Sequence, residues 1–354
     1  MTRPEINFPE SLACPMPIMR HETIQLAHGA GGKLSAELIE KIFLPRFANK
    51  LLNKLEDQAI LDNPGKRLAF TTDSFVVDPI FFPGGDIGEL AVNGTVNDLA
   101  MSGAEPLYLS VGFILEEGLP IETLHRIAVS MERAAGKAGV MIVTGDTKVV
   151  NKGSCDKLFI NTSGIGVVPD NVHISAGNLQ VGDRIILSGT IADHGMAVLT
   201  SREGLSFRTR VSSDTAALNQ LVRKMLDATQ EIHALRDPTR GGVATTLNEF
   251  ARQSNVGIRI YGDRIPVRDE VQGACEVLGI DPLYVANEGK LIAVVPETHA
   301  ADVLSAMHAD PLGEKAVIIG EVVGDHPGTV AIKTGLGVNR VLDMPVGEQL
   351  PRIC

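Results

Sequence analysis

Aromatic and basic residues are scarce in this sequence. There is no tryptophan and there are only three tyrosines among 354 residues. Proteins that bind single-stranded nucleic acid stack bases on aromatic rings, so this composition argues against such a platform. Lysine and arginine number 32 against 43 acidic residues, the net charge is −11, and no run of five basic residues occurs. The charge therefore argues against a surface that binds the nucleic-acid backbone.

Cysteine is also scarce, with four residues at positions 14, 155, 275 and 354. No two form a C-x-x-C pair, so neither a zinc knuckle nor a thioredoxin-type motif is present. Thiols this widely scattered indicate a reduced, cytoplasmic protein. The N-terminal residues lack the apolar core of a signal peptide, and no apolar run of about 18 residues occurs, so we expect no membrane span.

The pattern of apolar residues predicts a two-domain α+β chain. Residues 1–20 are rich in proline, and we expect a flexible extension. We predict a first domain over 21–170, which would bind nucleotide and form a dimer, and a second, α/β domain over 171–342. Turn residues cluster across 169–182, where we place the boundary. Residues 343–354 would form a flexible tail.

Helical and alternating periodicities place the individual elements. Helices are predicted at Lys33–Phe47, Ile87–Met101, Ile121–Ala138, Thr215–Ala228, Gly242–Gln253, Val267–Leu278 and Thr298–Ala309. Strands are predicted at Leu68–Asp73, Leu107–Leu115, Val140–Thr144, Lys157–Val168, Arg184–Ser188, Lys290–Val295, Ala316–Gly324 and Thr329–Lys333.

The sequence ends in Pro351-Arg352-Ile353-Cys354. We expect a thiol at a terminus to be exposed and mobile, because termini make few tertiary contacts. An exposed thiol is oxidisable, yet on a flexible tail it can carry a small group from one site to another. Neutral drift or truncation would leave the same residue, so the tail alone leaves both interpretations open.

Four aspartates lie near the ends of predicted helices or strands, close to a glycine or to the start of a helix. They are Asp73, Asp98, Asp146 and Asp237. Binding residues gather at such positions. Mg²⁺ prefers carboxylate oxygens, water and substrate phosphates, so the four could surround a triphosphate. Each one alone could equally be a helix cap or turn aspartate.

The segment from His28 to Lys33 places glycines immediately before a predicted helix. Such a backbone can present N–H groups to phosphate, and the residues concerned are Gly29, Gly31, Gly32 and Lys33. The segment lacks the P-loop pattern, and a flexible turn without any phosphate could have the same sequence. We do not count His28 among the catalytic residues.

Several longer strings resemble the HypE family of carbamoyl dehydratases in NiFe-hydrogenase maturation. They are QLAHGAGGK at 25–33, FTTDSFVVDPIFFPGGDIG at 70–88, NGTVNDLAMSGAEP at 93–106, VTGDTKVV at 143–150, LRDPTRGGV at 235–243, ANEGKL at 286–291 and the terminal PRIC. The resemblance runs from Ile24 to Cys354, and PRIC is its most specific part. The family is similar in fold to aminoimidazole ribonucleotide synthetase (PurM) and selenophosphate synthetase.

The resemblance implies a PurM-like fold, a homodimer joined through the first-domain sheets, and ATP and Mg²⁺ as cofactors. It implies that HypF places a carbamoyl group on Cys354 and that the tail then enters the ATP site. ATP would phosphorylate the carboxamide oxygen, and loss of a proton and of phosphate would leave a thiocyanate. The cyano group would pass to iron held by the HypC–HypD complex.

The resemblance also implies roles for individual residues. The metal ligands would be Asp73, Asp98, Asp146 and Asp237. The nucleotide-binding set would be Gly29, Gly31, Gly32, Lys33, Asp73, Asn93, Asn97, Asp98, Asp146, Thr147 and Arg240. Cys354 would carry the reacting group, with Glu288 as first candidate for the base and Lys148 as the alternative. Glu288 could equally be a surface turn residue, Lys148 an exposed strand-end lysine, and Arg240 part of a plain helix-start loop.

Two other functions remain possible at this point. A selenophosphate synthetase would need Cys or Sec near its glycine loop, but Gly29–Lys33 contains none and Cys14 lies well upstream. A non-catalytic carrier would use the tail only to ferry a group, with nucleotide as a regulator. Phosphate release from carbamoylated protein distinguishes an enzyme from such a carrier.

Overall fold

The computed structural model describes residues 19, 21–29, 33–50, 52–54, 67–202, 211–335, 337–345 and 352–354. The predicted N-terminal extension, apart from Met19, therefore lies outside the described residues.

The first domain is built on a four-stranded sheet of order β1-β6-β4-β5. Its first half also contains a short hairpin of β2 and β3. Strands β4 and β5 are parallel, whereas β1–β6 and β4–β6 are antiparallel. The bounds are β1 (Arg67–Phe75), β2 (Phe81–Phe82), β3 (Gly85–Asp86), β4 (Glu105–Glu116), β5 (Met141–Val150) and β6 (Leu158–Val168).

Two long helices pack on one face of this sheet. The helical segments are a 3-10 turn at Leu26–Gly29, α1 (Lys33–Leu38), a π-helical turn at Ile39–Phe43, α2 (Leu44–Phe47), a 3-10 turn at Leu52–Lys54, α3 (Ile87–Met101) and α4 (Ile121–Ala138). Asp86 caps α3 by accepting hydrogen bonds from the N–H groups of Gly88 and Glu89. Helix α3 is buried on nearly every side, because the sheet, α4 and the second domain all contact it.

The other face of the sheet exposes apolar side chains. Cross-strand partners Phe70, Ile165, Tyr108 and Met141 form one row across all four strands. Phe70 is 71% exposed, and Leu68, Ile114 and Met141 are also exposed. A contiguous exposed apolar face of this kind marks an interaction surface.

The second domain surrounds a seven-stranded sheet of order β13-β12-β9-β11-β7-β10-β8. Its strands are β7 (Arg184–Leu187), β8 (Ala234–Arg236), β9 (Gly257–Tyr261), β10 (Ile292–Val295), β11 (Val317–Val323), β12 (Val330–Lys333) and β13 (Asn339–Val341). Its helices are α5 (Asp193–Thr200), α6 (Asn219–Ala228), α7 (Gly242–Gln253), α8 (Asp269–Leu278) and α9 (Glu297–His308), with 3-10 turns at Gly262–Arg264 and Pro282–Tyr284. Helices α6 and α9 cover one face and α7 the other.

Mixed sheets with helices segregated on their faces confirm the α+β prediction. The predicted bounds of α3, α4 and α7 match the structure. Helix α6 begins four residues later than predicted, and α5, β8, β9, β13 and the hairpin of β2 and β3 were not predicted. The proposed boundary near 170 lies between the two sheets and stays a prediction. No helix in the described ranges combines the length and apolarity that crossing a bilayer requires.

Asn97 on α3 joins the two domains. Its Nδ2 donates to the carbonyl oxygens of Ala216 (3.0 Å) and Glu288 (3.2 Å). Its Oδ1 accepts from the backbone N–H of Leu218 at 2.8 Å. Asn97 is fully buried, so these bonds fix the second domain against α3.

Candidate functional site

A cluster of carboxyl groups lies where the two domains meet. Asp73 comes from β1, Asp98 from α3, Asp237 from the loop after β8, and Glu288 from the loop before β10. Burial and then the charge of Asp98 raise the pKa of Asp73 to about 6. Burial and then Asp98 raise the pKa of Asp237 to about 7. The carboxyl groups therefore resist ionising together, and a cation among them would relieve their repulsion.

Burial also raises the pKa of Asp98, although its Oδ2 accepts a hydrogen bond from Thr71 Oγ1 at 2.7 Å. Carboxyl oxygens are suitable ligands for a hard cation such as Mg²⁺. Such an ion binds few protein side chains and completes its coordination shell with water and phosphate oxygens. Within the described ranges, no three His, Cys, Asp or Glu side chains could by themselves hold a metal ion. Asp73, Asp98 and Asp237 would therefore need phosphate oxygens and water to complete the shell of a Mg²⁺ ion.

Glu288 is buried rather than a surface residue. It is 2% exposed, and its Oε1 has no hydrogen-bond partner among the described residues. Burial, followed by Asp237 and Asp214, raises its pKa well above the usual value. A buried carboxyl with an unused oxygen beside a charged cluster is a candidate for proton transfer.

The backbone of the Glu288 loop is firmly held. The N–H of Glu288 donates to Asp214 Oδ1 at 3.2 Å. Asn287 Nδ2 donates to the carbonyl oxygen of Pro238 at 2.9 Å, and Asn287 Oδ1 accepts from the N–H of Ala192 at 2.7 Å. A Cβ at Gly289 would lie 1.7 Å from the carbonyl oxygen of Asp214, so only glycine fits there.

The C-terminal residues are docked, which corrects the expectation of an exposed thiol. The side chain of Ile353 is 3% exposed and belongs to the first-domain core. The N–H of Val76 donates to the carbonyl oxygen of Cys354 at 3.2 Å. Tertiary contacts with both domains therefore override the usual mobility of a terminus.

The Cys354 thiol lies at the carboxyl cluster. Arg240 Nη2 donates to its Sγ at 3.6 Å. Burial, followed by the charge of Glu288, raises the pKa of the thiol to about 11, and Arg240 opposes this shift. Arg240 also lowers the pKa of Asp73, and Arg236 lowers the pKa values of Asp98 and Asp237, so both arginines act on the cluster. The structure thus brings Glu288, Arg240 and Cys354 together, and their roles stay predictions.

A cavity of about 540 Å³ adjoins the cluster. Asp98, Asp237 and Arg240 form part of its wall, and residues along α7 from Thr245 to Gln253 form another part. Arg236 also lines it and is paired with Glu249. A ligand that fills this cavity meets the cluster directly.

Asp146, Thr147 and Lys148 are not at this cluster within one chain. Asp146 is separated from Ser74 by three strand steps, through Gly112 and Asn161. Each step is about 4.8 Å. Asp73 faces α3, whereas Asp146 and Lys148 are exposed and paired with each other at 3.3 Å. Within one protomer the structure therefore does not bring Asp146 to the other three aspartates, because sequence spacing does not reveal which sheet face a residue occupies, and its role as a metal ligand stays a prediction.

The remaining predicted nucleotide residues have mixed placements. Gly29 ends a 3-10 turn, while Gly31, Gly32 and the side chain of Lys33 lie outside the described residues. Asn93 Nδ2 donates to Thr215 Oγ1 at 3.2 Å, and Asn97 binds backbone groups of the second domain. Their amides have structural partners, and a nucleotide role for them stays a prediction.

Sequence reasoning missed several buried polar residues near the site. Asp214 pairs with Lys290 Nζ at 3.4 Å and holds the Glu288 loop. His194 contacts Ser213 and the backbone of Ile353. Lys290 lies in the ANEGKL string, but nothing in the local pattern of the others marks them.

Curated relatives match almost the whole chain. Carbamoyl dehydratase HypE of Azotobacter vinelandii is 53% identical over 95% of this chain and 98% of its own length. Carbamoyl dehydratase HypE of Escherichia coli strain K12 is 51% identical over 94% of this chain and 99% of its own. The chain belongs to the HypE family. Its two halves match the N-terminal (55–168) and C-terminal (180–333) domains of AIR synthase related proteins.

Solved structures of the HypE family have the same fold. A hydrogenase maturation protein HypE in complex with ATP superposes with a TM-score of 0.89 at 51% identity, covering 93% of this chain and 99% of that one. A HypE chain in a HypE–HypF complex gives 0.77 at 50% identity, covering 87% and 99%. The PurM-like two-domain fold expected from the sequence is confirmed.

Proposed function

We propose that this protein dehydrates a carbamoyl group on Cys354 to a thiocyanate at the expense of ATP, in making the cyanide ligands of NiFe-hydrogenase. The observation that carries the proposal is the Cys354 thiol docked against Arg240 and Glu288 beside the buried aspartates. Membership of the HypE family supports the reaction class, and a relative solved with ATP supports the nucleotide.

The oxygen of the S-carbamoyl group attacks the γ-phosphorus of ATP, and ADP leaves. The nitrogen loses both protons, one to the base and one to the departing phosphate, the C–O bond breaks, and phosphate leaves with the former amide oxygen. A C≡N triple bond remains on sulfur. Phosphorylation is needed because an amide oxygen is a poor leaving group, whereas phosphate is a good one.

Glu288 is the base in this proposal. Its loop is fixed by Asp214 and Asn97, and its Oε1 has no partner among the described residues. A carboxyl with a raised pKa is a stronger proton acceptor once ionised. Arg240, near sulfur, would stabilise negative charge on the phosphorylated intermediate.

Asp73, Asp98 and Asp237 would hold Mg²⁺. When bound, the ion neutralises the phosphates of the nucleotide. The cavity beside Asp98, Asp237 and Arg240 gives those phosphates access to the cluster.

A homodimer would bring in Asp146 and Lys148. They lie on the same exposed sheet face as the apolar row that begins at Phe70. Two copies joined by this face would offer these residues to each other. Lys148 could then act only as a group from the second subunit, so Glu288 is preferred as base.

We further propose that a HypF-type partner carbamoylates Cys354 and that a HypC–HypD complex accepts the cyano group. A relative solved as a HypE–HypF complex supports the first step. The second step is a consequence of the product, since a thiocyanate must be transferred to regenerate the thiol.

The decisive experiment follows phosphate and mass together. Carbamoylated protein given Mg·ATP should release one phosphate per chain, and the peptide carrying Cys354 should lose one water. Cys354→Ala should bind ATP and release none, whereas Cys155→Ala, which removes another free thiol, should behave like the wild type. ATP binding without phosphate release from the carbamoylated wild type would favour the carrier. Loss of ATP binding in Cys354→Ala would make the thiol structural.

A further inference from the structure

The docked tail is held through its backbone as well as its side chains. His194 Nε2 lies 2.9 Å from the carbonyl oxygen of Ile353. Arg202 Nη2 donates to the carbonyl oxygen of Arg352 at 2.9 Å. Neither contact involves the sulfur, so a group added to the thiol leaves both available.

The hydrogen bonds of His194 fix its tautomer. A carbonyl oxygen only accepts, so Nε2 carries the hydrogen toward Ile353. Nδ1 then accepts from the hydroxyl of Ser213 at 2.8 Å. The ring is fully buried and meets Phe82 edge-on, with centroids 5.4 Å apart. Burial lowers the pKa of His194, which keeps this neutral form.

Ser213 is itself fixed against the first domain. Its backbone N–H donates to the carbonyl oxygen of Pro83 at 2.8 Å. A Cβ at Gly84 would lie 2.7 Å from the Ser213 nitrogen, so the two segments are in close contact. His194 therefore presents a pre-oriented donor to the tail from a rigid junction of both domains.

We propose that His194 is a positioning residue that clamps the C-terminal tail and sets how long Cys354 stays beside Glu288 and Arg240. The role of the clamp in the reaction rests on the proposed function, whereas the docking of the tail does not depend on it. The two half-reactions need opposite tail positions. The docked Cys354 side chain is only partly exposed, and a macromolecular carbamoyl donor needs it accessible, whereas dehydration requires the tail in the site. Weakening the clamp should speed the first and slow the second.

The test measures alkylation of Cys354 by N-ethylmaleimide. Mass spectrometry of the peptide released by cleavage after Glu348 gives the rate, with Cys155 and Cys275 as internal references. Asparagine at position 194 places its amide where Nδ1 of the histidine lies, so the hydrogen bond to the carbonyl oxygen of Ile353 is lost. Glutamine places an N–H donor where Nε2 of the histidine lies, so that hydrogen bond is kept. His194→Asn should raise the rate about three- to tenfold, the effect of one buried hydrogen bond, and His194→Gln should stay near the wild type.

A matched control exists in His308, whose Nε2 lies 2.8 Å from the carbonyl oxygen of Ala316, in the second domain. His308→Asn should leave Cys354 alkylation unchanged. An unchanged rate in folded His194→Asn overturns the clamp. If that variant does not fold, Ser213→Ala, which removes the hydrogen bond to Nδ1 of His194, is used instead. Faster alkylation of Cys354 in Ser213→Ala supports the clamp, and an unchanged rate overturns it.

The reaction gives a second readout. Carbamoylated His194→Asn should dehydrate more slowly, while its carbamoylation by the partner is as fast as or faster than in the wild type. Equal loss of both steps would indicate general damage and overturn the positioning role. If wild-type protein forms no thiocyanate, the proposed function fails, and the alkylation rates still decide the clamp.

Discussion

Glu288 combines features that are rarely found together in a glutamate. It is buried, its backbone is bonded on both sides, and one carboxyl oxygen lacks a partner among the described residues. A residue that served only packing would not keep an unsatisfied carboxyl oxygen in an acidic environment. At the residue scale, this is the strongest sign of chemistry in the site.

Glu288→Gln should abolish dehydration without harming the fold. Glutamine has the same shape but cannot accept the amide protons, and loss of a general base lowers rates by about 10²- to 10⁴-fold. Single-turnover phosphate release from carbamoylated protein measures this loss. The melting temperature should be unchanged or higher, because a buried acid is replaced by a neutral amide. Full activity in this variant would remove Glu288 as the base.

The aspartates make stability depend on pH. The pKa of Asp73 rises from 3.8 to about 6 and that of Asp237 from 3.8 to about 7 on folding. Between these values the folded chain holds protons that the unfolded chain has released, so stability falls as pH rises from about 4 to 7. Without nucleotide or Mg²⁺, the melting temperature should be higher at pH 5 than at pH 8.

Asp237→Asn should flatten this pH dependence, because asparagine does not titrate. Asp227→Asn on α6, at an exposed position, is the control and should leave the slope unchanged. Scanning calorimetry of the three proteins across pH gives the comparison. A slope in Asp237→Asn equal to that of the wild type would contradict the assignment of Asp237 to the repelling cluster.

At the scale of elements, α3 connects the sheet of the first domain to the loop of the second domain that carries Glu288. Asn97 makes this connection through three hydrogen bonds to backbone groups of the second domain. A small shift of α3 would therefore move the Glu288 loop.

Asn97→Ala should lower the free energy of unfolding by about 3 kcal/mol, since buried backbone groups lose their partners at about 1–3 kcal/mol each. Urea unfolding measures this change. Asn93→Ala removes one bond, to a side chain, and should cost about 1 kcal/mol. Equal effects of the two substitutions would mean that Asn97 is not the main tie.

Local signals predicted the long elements well. The predicted bounds of α4 match because Pro120 stands before it and Gly139, with φ of 76°, ends it. Helix α5 was missed because Ala192 starts it in a left-handed conformation without a side-chain cap. Helix α6 starts late because Leu218 donates its N–H to Asn97 of the other domain, a contact no local pattern contains.

The site was predicted less evenly. Motif strings identified Asp73, Asp98, Asp237, Arg240, Glu288 and Cys354, which the fold brings together. The docking of the tail was not predicted, since its contacts with His194 and Arg202 come from residues 159 and 150 positions away in the chain. The separation of Asp146 from the cluster was missed because it depends on strand order and sheet face.

At the scale of the whole molecule, we predict that the exposed face of the first sheet, with its apolar row, binds a second copy of the chain. Asp146 lies on it, so the dimer would form composite sites. Mixing Cys354→Ala with Asp146→Asn should then restore dehydration, because a mixed dimer holds one site with an intact thiol from one copy and Asp146 from the other. Phosphate release after subunit exchange measures this.

Phe70→Asp in both variants should prevent the rescue by separating the copies, and analytical ultracentrifugation should show monomers. Rescue that persists in monomers would contradict the sheet face as the interface. Absence of rescue in proven mixed dimers would place Asp146 outside the partner's site.

The docking of Cys354 in its own protein has a kinetic consequence. The carbamoyl group is carried by the catalyst itself, so only ATP has to be captured from solution, and at saturating ATP the dehydration is first order in loaded protein. Diluting the loaded protein at saturating ATP should leave its half-time for cyanation constant. The number of turnovers would then be governed by how often a donor recharges the sulfur and an acceptor unloads it.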